Sequence, residues 1–452
     1  MLNYLWLGMI VVAVVLAGIQ GNLDRLTTEA LQAAQDSVLK IAFPLLGLTV
    51  FWLGIMRLAE RAGLIQGLAR ALRPLMRRIF PEVPEDHPAM GSMVLNFAAN
   101  MLGLNNAATP LGLRAMEDLQ KLNPHPRTAT NAMCMFLALN TSSLQLIPTT
   151  AISLLATAGS KQPTAVVGTA LLATTISTLV GFGAARWLQN LRWFRMDSEG
   201  TEPEGSIKGV GKASLPTAER ERKETRVGFD SGSTVEETER STSWWERLLV
   251  WGYVMLFAGI ALRLWIRGVQ TQGLSVQTVI GPISHVAVPF LIGWIVLWAG
   301  VRRVRVYEEF VEGAKEGVEL ILRLIPYLVA MLVAIRMFRV AGGIEWVGKV
   351  LGPVLHAVGF PTELLPMALT RPLSGSATIG LLGDLVQRFG GDHLLSRMGA
   401  TLLGSTETTF YVVAVYFGAV GVRNVRHAVA AGLLADLAGI LASVWICRWV
   451  WG

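Results

Sequence analysis

The sequence predicts an all-α polytopic membrane protein, and three observations lead to this fold class. Of the 452 residues, 52% are hydrophobic and 16% are charged, whereas soluble globular chains carry about 25% charged residues. The mean hydropathy is +0.48. Several apolar runs reach the roughly 20 residues that a helix needs to cross a bilayer, and they lack the period of two expected of a transmembrane barrel strand. This composition excludes a soluble enzyme and a secreted disulfide scaffold.

The positive net charge of +7 indicates cytoplasmic loops rather than a nucleic-acid partner, because Lys and Arg collect in such loops of membrane proteins. Cys134 and Cys447 lie in apolar runs without the spacing of a metal site or a disulfide framework. The sequence shows no catalytic cluster and no cofactor motif, so we expect neither an enzyme nor a bound cofactor. The first apolar run, residues 4–18, lacks a basic n-region and is predicted to be a retained helix.

Nine apolar segments are predicted to cross the membrane, and two further segments, 91–113 and 362–385, are apolar but broken by Gly, Pro, Asn and Ser. The nine predicted spans are 3–20, 41–58, 130–157, 165–188, 245–267, 279–300, 319–337, 395–418 and 425–451. A polar stretch interrupts this series, and it is too poor in apolar residues to form a core. The sequence therefore predicts a first membrane half at 1–194, a linker at 195–243 and a second membrane half at 244–452.

The two halves show the same order of elements, which indicates an internal repeat. A span with a central proline, Pro44 or Pro326, is followed by an amphipathic helix and then by a broken segment. Next comes a span with a polar centre, at 139–143 in the first half and at 404–408 in the second, and then a further span. Each single match is weak, but the repeated order is better evidence.

The distribution of basic residues predicts the topology. The Arg-rich segment 57–78, the linker and the segment 302–305 are all cytoplasmic only if the N-terminus is inside and each broken segment is re-entrant. The Pro44 span then runs inward and the Pro326 span runs outward, so the repeats are inverted. This topology places three basic residues on the outer side, against the usual distribution: Arg336, Arg339 and Lys349.

Inverted repeats with interrupted helices are typical of secondary transporters, whose sites lie near the membrane midplane where the breaks meet. Unwound backbone survives at this depth only when it is buried in protein or lines a water-filled cavity. The first broken segment, 91–113, contains four asparagine side chains, which are costly in an apolar stretch unless they are paired. They are candidates for solute binding, or else they cap two half-helices and bond to neighbouring helices: Asn96, Asn100, Asn105 and Asn106.

The second broken segment, 362–385, combines an arginine with hydroxyl groups. Ser374 and Ser376 can each donate and accept a hydrogen bond beside a predicted turn. Arg371 is predicted either to bind an anionic group or to brace the structure by pairing with Asp384 or Glu363.

Glu407 is the sharpest candidate, because a carboxylate in the middle of a span marks a functional site by default. We expect it to accept a hydrogen bond from a solute hydroxyl, to bind a cation or to carry a proton, or else to form a buried pair with Arg371. Thr408 is its neighbour, and Asp436 is a weaker candidate of the same kind. The corresponding segment of the first half is neutral, with Asn140, Thr141, Ser143 and Gln145.

The segment 96–116 resembles spore maturation protein A, and the segments 370–380, 404–411 and 416–421 resemble spore maturation protein B. The resemblance covers nearly the whole chain outside the linker, as a fusion of A then B. Proteins of this family carry the nucleoside recognition, or Gate, domain, which is shared with concentrative nucleoside transporters and with the membrane part of the bacterial ferrous-iron transporter.

The resemblance implies two re-entrant hairpins, at 91–113 and 362–385, and two unwound spans, at 130–157 and 395–418. It places the amides of the first hairpin against a base-like group and Glu407 against a ribose-like group. It also implies Na+ or H+ as the coupling ion at Asn140, Thr141 and Glu407. By analogy with nucleoside transporters it implies a homo-oligomer, a trimer in that group.

The sequence and the resemblance together favour a secondary transporter or permease of a small polar solute, with a nucleoside as one candidate. We expect it in the bacterial inner membrane, with the N-terminus and the linker in the cytoplasm. The alternative is a non-transporting membrane scaffold or regulator of the cell envelope or of spore maturation. The expected partners are the solute and the lipid bilayer, without nucleic acid.

Overall fold

The computed structural model describes residues 2–194, 244–272 and 276–452, so the predicted linker lies outside the described residues. Regular secondary structure in the described ranges is helical, apart from one isolated bridge between Thr128 and Asn424. Five of these helices are long and apolar enough to cross a membrane. The protein is therefore an all-α polytopic membrane protein.

The described residues of the first half form nine α-helices, and the short links between them position the site described below. They are α1 (Leu2–Gln20), α2 (Leu23–Asp36), α3 (Phe43–Arg61), α4 (Leu64–Ile79), α5 (Pro88–Met101), α6 (Asn105–Lys121), α7 (Asn131–Ser142), α8 (Thr149–Thr157) and α9 (Val166–Leu188). A π-helical segment, Ser37–Ala42, joins α2 to α3 without a break.

The second half, over its own described ranges, also forms nine α-helices. They are α10 (Trp244–Gln272), α11 (Val276–Val301), α12 (Val306–Val340), α13 (Gly343–Ala357), α14 (Leu365–Thr370), α15 (Gly375–Phe389), α16 (Leu394–Leu403), α17 (Thr409–Val420) and α18 (Ala428–Trp451). The two amphipathic helices α4 and α13 each follow a glycine with positive φ, Gly63 at 76° and Gly342 at 81°. Glycine adopts this backbone conformation without the strain that a side chain would cause, so each glycine favours the sharp turn into the helix that follows it.

Two of the nine predicted spans are not continuous helices. The span 130–157 is divided between α7 and α8, and the span 395–418 is divided between α16 and α17. These are the two spans that the family resemblance implied to be unwound, and both are interrupted where their polar centres leave the helical conformation. The other seven predicted spans each lie on one helix: α1, α3, α9, α10, α11, α12 and α18.

The two halves pack directly on each other, mainly where α12 crosses α3 and where α18 packs on α9 and α7. The α3–α12 crossing is close because glycines face it from both helices. A Cβ at Gly313 would lie 2.6 Å from the Leu53 carbonyl oxygen, and one at Gly317 would lie 2.8 Å from Val50 Cα. Small residues spaced by four let transmembrane helices approach closely in this way.

Ion pairs between helices explain two of the three basic residues that contradict the predicted topology, Arg336 and Arg339. Arg336 Nη1 lies 2.9 Å from Asp36 Oδ2, and both side chains are largely buried. Arg339 pairs with Asp384, which Arg388 also approaches. The positive-inside distribution concerns Lys and Arg in short loops, so two arginines neutralised inside the protein give no evidence about orientation.

Breaking the Asp36–Arg336 pair is expected to destabilise the protein. The Arg336→Gln variant leaves Asp36 with Lys40 alone, whose Nζ lies 2.8 Å from Asp36 Oδ1, so we expect a loss below the ~3–5 kcal/mol that follows when a buried charge keeps no partner. Chemical unfolding in detergent measures this change in the free energy of unfolding. Arg323→Gln on the same helix is the matched control, because Arg323 and Glu319 are about 70% exposed and such pairs contribute at most about 1 kcal/mol. Equal stability of the two variants would contradict the role given to the pair.

Candidate solute-binding site

The first unwound segment, residues 143–148, begins at a residue in an unusual backbone conformation. Ser143 has a φ of 39°, in the left-handed region, which turns the chain out of α7. The carbonyl groups released by this turn need new partners, since unpaired backbone groups are costly in an apolar environment. Thr174 Oγ1 on α9 lies 2.8 Å from the carbonyl oxygens of both Ser142 and Ser143, so its single hydroxyl hydrogen is shared between them.

The second unwound segment, residues 404–408, crosses the first one. The Glu407 amide donates to the carbonyl oxygen of Thr141 at 2.6 Å, in the last turn of α7 directly before the first unwound segment. The second unwound segment therefore supplies a hydrogen bond to the end of α7. Gly404 allows the close approach, because a Cβ there would lie 2.7 Å from Pro148 Cβ. The two interrupted spans therefore meet at one point, as the predicted site requires.

Each predicted hairpin is bound to the interrupted span of its own half by one backbone hydrogen bond. The Leu146 amide, in the first unwound segment, donates to the Met101 carbonyl oxygen at 2.9 Å, at the end of α5. The Phe410 amide, in the first turn of α17, donates to the Pro372 carbonyl oxygen at 3.0 Å, between α14 and α15. In each half, the region around the interruption is thus held against the predicted hairpin.

Amide side chains strengthen the contact in the first half. Asn100 on α5 donates through Nδ2 to Asn140 Oδ1 on α7 at 2.8 Å, and Asn140 Nδ2 donates to the Phe136 carbonyl oxygen. Asn140 is buried, whereas Asn100 keeps part of its surface exposed. This pair fixes the end of the first hairpin against the start of the break.

An arginine and a carboxylate form the corresponding contact in the second half. Arg371 donates to the Leu403 carbonyl oxygen at 3.0 Å and to Thr406 Oγ1 at 3.3 Å. Its guanidinium Nη2 lies 3.9 Å from Glu407 Oε2. The Arg371 side chain is 5% exposed, whereas that of Glu407 is 31% exposed. A partly exposed carboxylate therefore neutralises a buried cation at the junction of the two breaks.

Glu407 also joins the two halves through its side chain. Ser143 Oγ lies 3.4 Å from Glu407 Oε1, at the beginning of the first break. The predicted alternative in which Arg371 pairs with Asp384 or Glu363 is wrong, since Asp384 pairs with Arg339. The geometry is compatible with Glu407 as a functional site residue and with Glu407 as the partner of Arg371, because its carboxylate approaches Arg371 and is still partly exposed.

The other predicted site residues divide into two groups. Asn96 is buried inside the first hairpin, where its Nδ2 donates to the Ala108 carbonyl oxygen at 2.7 Å. Ser374 caps α15, since its Oγ accepts from the Ala377 amide. These two residues fit the capping and bracing alternative. Gln145 and Thr408 lie in the two unwound segments, whereas Ser376 lies in the first turn of α15. Gln145 and Ser376 are partly exposed. The side chains of Asn105 and Asn106 lie outside the described part of the structure.

Three polar residues contribute more than the sequence indicated. A threonine in a membrane span carries little signal because it can satisfy its own hydroxyl locally, and this applies to Thr174 on α9 and to Thr406 in the second unwound segment. Asp436 on α18, ranked below Glu407 by sequence, is 1% exposed and accepts from Thr409 Oγ1 at 2.6 Å.

An apolar cavity of about 120 Å³ lies beside the second hairpin, between α1, α12, α13, α14 and α15. Its walls include Met9, Met331, Phe338 and Leu369, and Thr370 is the residue that precedes Arg371. A cavity with this lining does not fit a polar solute. The junction of the two breaks therefore remains the candidate site.

Comparison with known proteins identifies relatives over most of the chain. The model of the nucleoside recognition family, named Gate, matches residues 42–158 and 321–423. Spore maturation protein B of Bacillus subtilis (strain 168) is 44% identical over 174 residues, which cover 38% of this chain and 98% of that protein. Spore maturation protein A of the same organism is 44% identical over 184 residues, which cover 41% of this chain and 92% of that protein.

A more distant relative is the inner membrane protein YjiG of Escherichia coli (strain K12), 29% identical over 84 residues, or 55% of that protein. No solved structure matches the chain significantly. The two segments matched by the Gate family model cover the same series of elements in each half, from the central long helix to the second part of the interrupted span.

Proposed function

The chain belongs to the family of spore maturation proteins A and B, and we propose that it is a secondary transporter or permease of a small polar solute. The solute binds at the junction of the two unwound segments, where Arg371, Glu407, Asn100 and Asn140 supply polar groups. A nucleoside is the first solute class to test, because the chain carries a nucleoside recognition domain. No chemical step is part of this function.

The architecture we propose is an inverted repeat with two re-entrant hairpins. The order of elements from α3 to α9 is the same as that from α12 to α18, and each half matches the Gate family model. The basic residues of the segments 57–78 and 302–305 support an N-terminus and a linker on the cytoplasmic side. The similarity to an inner membrane protein supports the bacterial inner membrane as the location.

One observation carries the proposal: a partly exposed carboxylate lies at the point where both unwound segments meet. The backbone amide of Glu407 donates to Thr141 at the end of α7, and its side chain approaches Ser143 and Arg371. A charged group at this depth is costly and is expected to face the protein interior or water. A solute hydroxyl that reaches Glu407 replaces weak contacts of 3.4 and 3.9 Å with a direct hydrogen bond.

A second function has support of its own. A membrane scaffold or regulator in envelope or spore maturation fits the names of the two relatives. Burial of Asn96, Asn140 and Arg371 also fits a rigid structural centre without a transport cycle. A homo-oligomer is compatible with both functions, and the exposed apolar side chains of α10 offer a surface for it.

A thermal-shift screen of the purified protein distinguishes the two functions. Nucleosides, nucleobases, amino acids and small carboxylates are added singly, each in sodium and in potassium buffer. A solute that binds only the folded state raises the melting temperature, by RT ln(1 + [L]/Kd) in free energy. We expect a shift with one solute class that is absent from Glu407→Gln. A shift that persists unchanged in this variant would contradict the proposed site.

A further inference from the structure

We propose that Asp436 holds a proton at neutral pH and is the proton-binding residue of the junction. Its carboxyl group, on α18, contacts Thr409, the first residue of α17 after the second unwound segment. Only 1% of the residue is exposed, Oδ2 accepts from Thr409 Oγ1 at 2.6 Å, and Oδ1 has no hydrogen-bond partner among the described residues. An ionised carboxylate needs several donors when it is removed from water, and one hydroxyl is insufficient.

The charges around Asp436 lead to the same conclusion. Arg371 and Glu407 are the charged residues of the junction, and Glu407 lies two positions before Thr409, whose hydroxyl binds Asp436. Helices α7, α11 and α17 pack on α18 and contain no Asp, Glu, Lys or Arg, although α11 includes His285, while α9 and α16 contribute Arg186 and Arg397. Arg186 is in the last turn of α9, and Arg397 pairs with Asp392. One cation thus faces two carboxyl groups, so the fully ionised cluster carries one uncompensated negative charge in the protein interior.

The proton belongs on Asp436 rather than on Glu407 because the two groups differ in solvation. Glu407 is 31% exposed and approaches the Arg371 guanidinium to 3.9 Å, so it has both solvent and a cation close to it. Asp436 has neither solvent exposure nor a guanidinium within ion-pair distance in the described part of the chain. When two carboxyl groups share one proton, the group with the poorer environment for a charge retains it.

A sodium ion in place of the proton does not fit these contacts. A hard cation of this kind takes several oxygen ligands, whereas the one polar partner of Asp436 among the described residues is the Thr409 hydroxyl.

The shared cation links the proton on Asp436 to occupancy of the site, and this step depends on the proposed function. A solute that draws Glu407 away from Arg371 leaves the guanidinium without its counter-ion. Asp436 is then the remaining carboxyl group of the cluster, so its ionised form is stabilised and its proton is released. Reciprocally, the protonation state of Asp436 alters solute affinity, as linkage requires.

Infrared spectroscopy of the full-length protein in lipid vesicles tests the inference without any solute. The carbonyl stretch of a protonated carboxyl group is recorded across a pH titration for the wild type, Asp436→Asn and Glu407→Gln. Glu363→Gln is the control, because Glu363 is an exposed carboxylate that precedes α14. We expect one protonated carboxyl signal at pH 7 that is absent from Asp436→Asn and retained in Glu363→Gln.

The Glu407→Gln variant tests the same inference with Asp436 unchanged. Removing the Glu407 carboxylate leaves Arg371 without its ion-pair partner, so we expect the midpoint of the signal to fall. A signal that remains in Asp436→Asn would overturn the assignment, as would a midpoint that stays constant or rises in Glu407→Gln. Loss of the signal on adding sodium at constant pH would also overturn it. Absence of solute binding would contradict the proposed function and leave this result unaffected.

Discussion

Glu407→Gln is expected to lower solute transport by about 10- to 100-fold, because a hydrogen bond to a charged group contributes about 1.5–3 kcal/mol. The amide is almost isosteric with the carboxylate, and the backbone hydrogen bond from residue 407 to Thr141 does not depend on the side chain. Arg371 retains its bonds to Leu403 and Thr406 in the variant. We therefore expect a folded protein without an effective solute acceptor.

Uptake into proteoliposomes measures this effect, with the solute identified by thermal shift. Glu363→Gln removes the same charge from an exposed position outside the junction and should transport at the wild-type rate. Size-exclusion chromatography in detergent verifies that both variants are folded. Uptake by Glu407→Gln at the rate of the control would show that the carboxylate has no part in solute binding.

Gly317→Leu is expected to abolish correct folding. A Cβ at this position would lie 2.8 Å from Val50 Cα and 3.0 Å from the Val50 backbone nitrogen, so the obstruction is main chain that cannot move aside. Overpacking in a well-packed region costs about 1–3 kcal/mol for added methylene groups. A leucine at the α3–α12 crossing requires the two helices to separate along their whole contact, so we expect a larger loss.

The yield of monodisperse protein after detergent extraction reports the outcome. Gly47→Leu is the matched control on α3, because a Cβ at Gly47 meets no atom within 4 Å. This control separates the effect of the close crossing from the general effect of replacing a helical glycine. A monodisperse Gly317→Leu protein with the melting temperature of the wild type would show that the crossing tolerates separation.

Composition marks the neighbourhood of both interruptions, although the first unwound segment, 143–148, begins only where the marked segment 139–143 ends. Asn, Pro, Ser and Gly within apolar runs are unfavourable in a lipid-facing helix, so the amino-acid sequence by itself marks the segments 139–143 and 404–408 as unusual. The exact ends of the helices depend on neighbouring groups such as Thr174, which binds the carbonyl groups released at Ser142 and Ser143. That partner is about thirty positions away and carries no signal of its own in the sequence.

Pairing of the charged groups could not be predicted. Arg371 had three candidate carboxylates, and the structure brings it to Glu407 because Arg339 occupies Asp384. Asp36 and Arg336 are 300 positions apart and meet only when the two halves pack. Such contacts depend on the crossing of helices, which local patterns do not specify. The same limit explains Asn96, whose partner Ala108 lies across the hairpin.

The crossing of α3 and α12 also bears on how the two halves come together. Each half presents a narrow glycine-lined face that the other half must cover. Two separate polypeptides would have to find each other in the bilayer, and association would cost translational and rotational entropy and vary with their abundance. A covalent tether makes the same step intramolecular, with an effective concentration fixed by its length. The fused chain therefore guarantees one copy of each half in every assembly, whatever the level of expression.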